Sequence, residues 1–167
     1  ASIQQKLKAK CRSGNFTLPE NLHLTLRFIG NTCTYGISML KTAIDEAALS
    51  SHAFEIKIGG LGQFPSRGKY TVWAGIRSGR ELEELYNRLQ TALESAGHQR
   101  EGRRFTPHIT LAREVIPDSL ISETLAAGNT NDEISMKVDR VYLMESTRVN
   151  GKLKYIPIYS RKLNDSE

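Results

Sequence analysis

Two short segments of this 167-residue chain are near-copies: His23-Leu-Thr-Leu26 and His108-Ile-Thr-Leu111. On an extended strand, residues i and i+2 point to one face. Each copy therefore presents an imidazole beside a hydroxyl, with apolar residues facing the other way. Near neutral pH one imidazole can take a proton while a second gives one, and each role is worth about 10²–10⁴ in rate. In phosphodiester cleavage the base would activate water and the acid would protonate the departing sugar oxygen. The hydroxyls of Thr25 and Thr110 can donate to the non-bridging phosphate oxygens, where negative charge sits during transfer. By average composition, Thr then Leu follows a histidine at these offsets roughly once in 200 times. Two of only four histidines share the pattern, so chance does not explain it.

Other chemistries are poorly served. A zinc site wants three or four His, Cys or carboxylate ligands; neither copy contains a carboxylate or cysteine, and Glu114 is the nearest acid to either. No Gly-x-Ser-x-Gly nucleophile elbow and no phosphate-cradling glycine loop occurs. Cys11 and Cys33 follow no metal or redox spacing. They are read as reduced thiols, with one disulfide as the alternative.

Four arginines could add charge-assisted contacts to a phosphate. Arg27, four residues after His23, has the right strand parity. Arg113, five after His108, faces away on a regular strand and reaches the phosphate only if the strand ends or bulges there. Arg103 and Arg104 precede the second motif, where they could meet an RNA backbone or simply face solvent. Phe64 and Tyr70 could stack on a base, but core packing is the expectation for both, as it is for Trp73. His52 and His98 have no partner motif.

The elements that must carry these residues follow from periodicity. Residues 1–11 read as the end of a helix. Residues 22–29 alternate, with Leu22, Leu24, Leu26 and Phe28 on one face, predicting a half-buried strand stopped by Gly30-Asn31. A helix is expected over 35–49, a strand over 53–61, a loop over 62–68 and a strand over 70–76. The clearest helix spans 80–96, ending at Gly97. A basic loop over 102–107 leads into a strand over 108–112, then a helix from an Asp118 N-cap to Ala127. Two last strands, 134–145 and 153–159, flank Asn150-Gly151, a strong hairpin signal. Hairpins mixed with helices argue an α+β fold of mostly antiparallel sheet. Each motif strand is followed by a helix and a strand pair. This suggests an internal duplication: two pseudo-symmetric lobes with outer helices around a central cleft, the whole chain 1–167 forming one two-lobed domain.

Composition agrees with a soluble protein: 39% hydrophobic, 25% charged, and no run near the roughly 18 apolar residues that a membrane helix needs. Residues 1–12 hold four basic residues but no apolar core, so no signal peptide is expected. A net charge of +5 suits a polyanionic partner such as nucleic acid, or is simply incidental basicity.

The fuller strings, Asn21-Leu-His-Leu-Thr-Leu-Arg-Phe-Ile-Gly30, Val72-Trp-Ala-Gly75, Phe105-Thr-Pro-His-Ile-Thr-Leu-Ala-Arg113 and Tyr155-Ile-Pro-Ile158, resemble the 2H phosphoesterase superfamily. Within it they are close to the RNA 2′,3′-cyclic phosphodiesterases, also called 2′-5′ RNA ligases. The resemblance implies metal-independent, cofactor-free hydrolysis of an RNA terminal 2′,3′-cyclic phosphate, or of a related nucleotide, to a 2′-phosphomonoester. It implies His23 as proton donor to the leaving 3′-oxygen, His108 as proton acceptor for water, and Thr25 and Thr110 on the phosphate. Arg113 and Arg27 are the further phosphate-binding candidates. A cytoplasmic monomer without a membrane partner is expected. Two other readings stay open: a non-catalytic RNA- or nucleotide-binding module, and 2′-5′ joining of RNA ends by the reverse reaction. Members of the family usually begin with an apolar strand before the first helix. This chain starts inside that helix, so either residues precede Ala1 in the full protein or one sheet has an exposed edge.

Overall fold

A computed structural model describes residues 2–129 and 133–165. The elements run α1 (Ile3–Lys8), β1 (Cys11–Phe16), α2 (Thr34–Leu49), β2 (Phe54–Ser66), β3 (Lys69–Ser78), α3 (Glu81–Ser95), β4 (His108–Pro117), α4 (Ile121–Gly128), β5 (Ile134–Val138), β6 (Arg140–Val149) and β7 (Lys152–Lys162). The fold is α+β. A five-stranded sheet has the order β1-β4-β3-β2-β5, and β6 and β7 form a separate two-stranded sheet. The chain forms two compact units.

The first unit comprises Ala1–Thr25, Lys57–Arg77 and Thr106–Ser135. Its sheet buries one face. Leu7 of α1 packs with Val72, Ala74, Leu111, Ala112 and Val115, joined by Ile121 and Leu125 of α4 and by Ile58 and Leu61 of β2. Val72, Ala74 and Ile76 are buried, whereas Trp73 and Gly75 between them are half-buried, so β3 presents the latter pair on the opposite face. The loop expected at 62–68 is mostly strand: β2 runs to Ser66, and the turn is only Arg67-Gly68. Both turn residues have positive φ, 49° and 77°, the geometry that suits a two-residue hairpin.

The second unit comprises Leu26–Ile56, Ser78–Phe105 and Met136–Glu167. Helix α3 buries Leu82, Leu85, Leu89, Ala92 and Leu93 along one stripe, and its first turn carries Glu81, Glu83 and Glu84, acids that favour a helix N-terminus. Helix α2 buries Leu40, Ala43, Ile44, Ala47 and Ala48 and packs against α3 and the β6–β7 hairpin. Asn150 and Gly151, φ 51° and 75°, make the expected tight turn.

Four readings need correction. Residues 22–29 do not form a strand: only Leu24 makes a β-bridge, to Ile109, and Phe28, assigned to the apolar face, is 80% exposed. Strand β1 was not foreseen, because Cys-Arg-Ser-Gly-Asn-Phe has neither alternation nor β-branched residues. Helix α4 starts at Ile121 with Leu120 at its N-cap; the Asp118 N–H instead donates to the Lys10 carbonyl. The strand expected over 134–145 breaks at Asp139 into β5 and β6.

Candidate active site

The histidine and threonine of both motifs lie in the first unit. His108 opens β4, which sits between β3 and β1. Along one edge β4 pairs with β3, Gly75 opposite His108, Ala74 opposite Ile109 and Trp73 opposite Thr110. Along the other edge, beyond its pairing with β1, Ile109 meets Leu24 in an antiparallel bridge. That register sets Thr25 across from His108, and His23 across from Thr110. Ala74, the partner of Ile109, belongs to the core cluster, so by alternation the four motif residues fall on the opposite face. Directly opposed side chains in such a pair start about 4.5–5.5 Å apart, and diagonal positions about 7–8 Å apart. By that register the histidines occupy one diagonal.

The two imidazoles are held alike. His23 Nδ1 lies 2.7 Å from the Asn21 carbonyl oxygen, and His108 Nδ1 lies 2.6 Å from that of Thr106. A carbonyl oxygen only accepts, so each Nδ1 carries the proton and donates it. Each ring then exchanges its other proton at Nε2: a lone pair when neutral, an N–H when charged. One arrangement thus equips either ring as base or acid. The contact is to backbone two residues upstream, so no side-chain signature announced it.

Arg113 stands differently from its sequence reading. Trp73 pairs with Thr110 but Val72 pairs with Ala112, so Leu111 and Ala112 together oppose Val72. Both are buried in the same cluster. This bulge reverses the parity beyond it and returns Arg113, exposed and paired with Asn15 of β1, to the face of His108 and Thr110. A second irregularity follows at Glu114, φ 53°, whose carboxylate accepts from Asn15 Nδ2 at 2.8 Å and pairs with Lys69.

Arg27 is used elsewhere. In the second unit, its Nη2 donates to the Gln99 carbonyl at 2.7 Å and its Nη1 sits 3.1 Å from Glu101, with the side chain 14% exposed. These contacts tie Arg27 to the loop after α3. Arg103 and Arg104 are exposed in that same unit.

The aromatic surroundings of His108 were missed. Trp73 lies on the histidine face rather than in the core, its ring centroid 5.8 Å from the His108 imidazole. Phe64 lies 5.2 Å from both rings, edge-on to His108 at 80°. The available signal was Gly62: a Cβ there would come within 2.2 Å of the Trp73 ring, so glycine makes room for the indole. Tyr70, by contrast, packs against the core as expected. Both cysteines are free; burial, and then the Asp118 carboxylate, push the Cys11 thiol up from its ordinary value. Among the described residues no group of three His, Cys, Asp or Glu side chains is placed to hold a metal ion, and no helix is long and apolar enough to cross a membrane.

One His-x-Thr motif thus lies on β4, and the other meets it through the single Leu24–Ile109 bridge. The profile of the 2′-5′ RNA ligase superfamily matches residues 3–150, and the chain belongs to that superfamily. It is 29% identical over 147 residues to the RNA 2′,3′-cyclic phosphodiesterase of Methanothermobacter thermautotrophicus, covering 86% of this chain and 79% of that protein. It is 30% identical over 152 residues to the protein of the same name from Escherichia coli, covering 87% and 78%. Among solved structures it is similar to Escherichia coli LigT complexed with 3′-AMP, with a TM-score of 0.73 and 26% identity over 96% of this chain and 91% of that one.

Proposed function

We propose that this protein hydrolyses RNA ends bearing a 2′,3′-cyclic phosphate to 2′-phosphomonoesters, with two imidazoles doing the proton work and no metal. The observation that carries the reading is the matched pair of Nδ1-to-carbonyl hydrogen bonds, which fixes the same tautomer on both neutral rings. Neutral His108 takes a proton from water as its oxygen attacks phosphorus. The bond from phosphorus to O3′ breaks, and His23, charged, delivers a proton to O3′. Thr25, Thr110 and Arg113 donate to the non-bridging oxygens as charge builds on them. Which ring is acid and which is base follows the family resemblance. The relatives' names support this substrate class.

The superfamily's name favours one second reading, joining of RNA ends through a 2′-5′ linkage. The same two groups serve it by microscopic reversibility, and the abundance of water favours hydrolysis. Incubation of a cyclic-phosphate-ended oligonucleotide in EDTA tests the proposal: a 2′-phosphate product supports it, and an unchanged substrate contradicts it.

A further inference from the structure

The formal net charge of the chain is +5, and it is not spread evenly. Residues 140–162, the β6–β7 hairpin, hold six lysines and arginines against one acid, Glu145, so this segment carries the whole excess. Three of the six are engaged where the hairpin joins the rest of the second unit. Arg140 donates to Ser160 Oγ at 3.1 Å, Arg161 lies 3.7 Å from Asp45 of α2, and Lys162 pairs with Asp165. The other three, Arg148, Lys152 and Lys154, stand at the far end, around the Asn150-Gly151 turn. All three are exposed, and among the described residues none has a carboxylate within ion-pair distance. Arg148 Nη1 donates to the Gly151 carbonyl at 3.0 Å, which holds its guanidinium beside the turn.

The base of the hairpin is packed: Val141 is buried, and Tyr159 donates to Asp45 of α2. From Met144 to Pro157, by contrast, every residue is exposed except Thr147 and Tyr155, which are half-buried. The register sets Lys152 and Lys154 opposite Val149 and Thr147 on one face, and Arg148 opposite Leu153 on the other. Exposed Ile156 shares the face of the two lysines, and exposed Met144 that of Arg148. Lys152 and Lys154 lie about 6.7 Å apart along their strand, a step like that between successive phosphates of an extended RNA chain. A membrane surface takes apolar residues on one face of an element and cations on the other. Here both kinds occur on both faces, which suits a flexible polyanion that can wrap the ribbon. We propose that the outer half of the β6–β7 hairpin binds the sugar-phosphate chain of single-stranded RNA through Arg148, Lys152 and Lys154. The choice of RNA rests on the hydrolase reading above; the ribbon adds a hold on RNA that does not involve the cyclic phosphate.

The test measures binding of a fluorescein-labelled single-stranded oligoribonucleotide across salt concentrations, for the unsubstituted protein and three variants. Neutralising the ribbon with Arg148→Gln, Lys152→Gln and Lys154→Gln together is expected to weaken binding about ten- to a hundred-fold at roughly 0.1 M salt. It should also flatten the slope of log affinity against log salt by about 2, since each phosphate contact contributes about 0.7. Keeping the charges, with Arg148→Lys, Lys152→Arg and Lys154→Arg, is expected to preserve both. Neutralising as many exposed cations elsewhere, with Lys6→Gln, Lys8→Gln and Lys10→Gln, is expected to have a much smaller effect. Turnover of a nucleoside 2′,3′-cyclic phosphate, which has no chain to hold, should be the same in all four proteins. Equal losses of RNA binding in the two neutralised variants would overturn the proposal, since net charge alone would then be acting. Unchanged RNA binding would also overturn it, whether the neutralised ribbon self-associates through its open edges or loses binding to phosphatidylserine vesicles instead. If the unsubstituted protein turns over no cyclic phosphate, the hydrolase reading fails, and the binding measurement still decides this proposal.

Discussion

The Nδ1 of His108 lies 2.6 Å from the carbonyl oxygen of Thr106, and the same two-residue step links His23 to Asn21. Since the acceptor is backbone, neither contact depends on protonation of a neighbouring side chain. Nitrogen-15 NMR of the imidazoles should show Nδ1 carrying the proton of both neutral rings. A neutral ring protonated at Nε2 would contradict this arrangement.

Arg113 and Arg27 should separate cleanly. By the bulge Arg113 falls on the histidine face and is exposed, so Arg113→Ala should reduce kcat/KM roughly ten- to a hundred-fold with little change in thermal stability. Arg27 holds the Gln99 carbonyl and Glu101. Arg27→Met should cost about 1 kcal/mol of stability, because the contacts are lost but the exposed Gln99 and Glu101 are met by water. Steady-state kinetics beside thermal melts of both variants measures the contrast.

Gly62 offers a third test. An alanine there puts a carbon against the indole of Trp73, so the ring must move and take Phe64 with it. The expected result is a red-shifted or quenched tryptophan emission together with reduced turnover, while far-ultraviolet circular dichroism stays unchanged.

A fourth outcome concerns the second unit. Tyr159 donates to Asp45 at 2.5 Å; that hydrogen bond, then burial and the Asp45 charge, raise the phenol's pKa above its ordinary value, with Arg161 opposing. A raised pKa means that the folded state holds the proton more tightly. The resulting stabilisation is complete below the ordinary tyrosine pKa of about 10 and disappears as pH rises through the raised value. NMR titration of Tyr159 should show late ionisation in the unsubstituted protein and an earlier one in Asp45→Asn.

Helices were the most legible part of the fold. Leu82, Leu85, Leu89 and Leu93 give α3 its stripe before any tertiary contact exists, and Asn150-Gly151 dictates its own turn. Strand β1 was illegible because its polar residues owe their conformation to pairing with β4, a long-range effect that no local pattern encodes. The 22–29 segment shows the reverse: ideal alternation, yet a single bridge, because the chain leaves the sheet after Thr25 and Arg27 is tied to Gln99.

Within the candidate site, the imidazoles and hydroxyls were legible from the repeated motif. The arginines were less so. Parity put Arg27 on the histidine side and kept Arg113 only if the strand ended or bulged, and the features that bear on them, a bulge at Leu111 and an ion pair to Glu101, have no local signature. The aromatic wall was misread for a similar reason. Phe64 and Trp73 have core composition, and only the strand register reveals that they stand on the histidine face.

The most direct measurement is product analysis on a defined oligonucleotide ending in a 2′,3′-cyclic phosphate, in EDTA, with the unsubstituted protein and the His23→Ala and His108→Ala variants across pH. The expected product is the 2′-phosphomonoester, formed with a bell-shaped pH dependence and slowed about 10²–10⁴-fold by either substitution. A 3′-phosphate product, dependence on added metal, or variants that keep the unsubstituted rate would contradict paired-histidine hydrolysis.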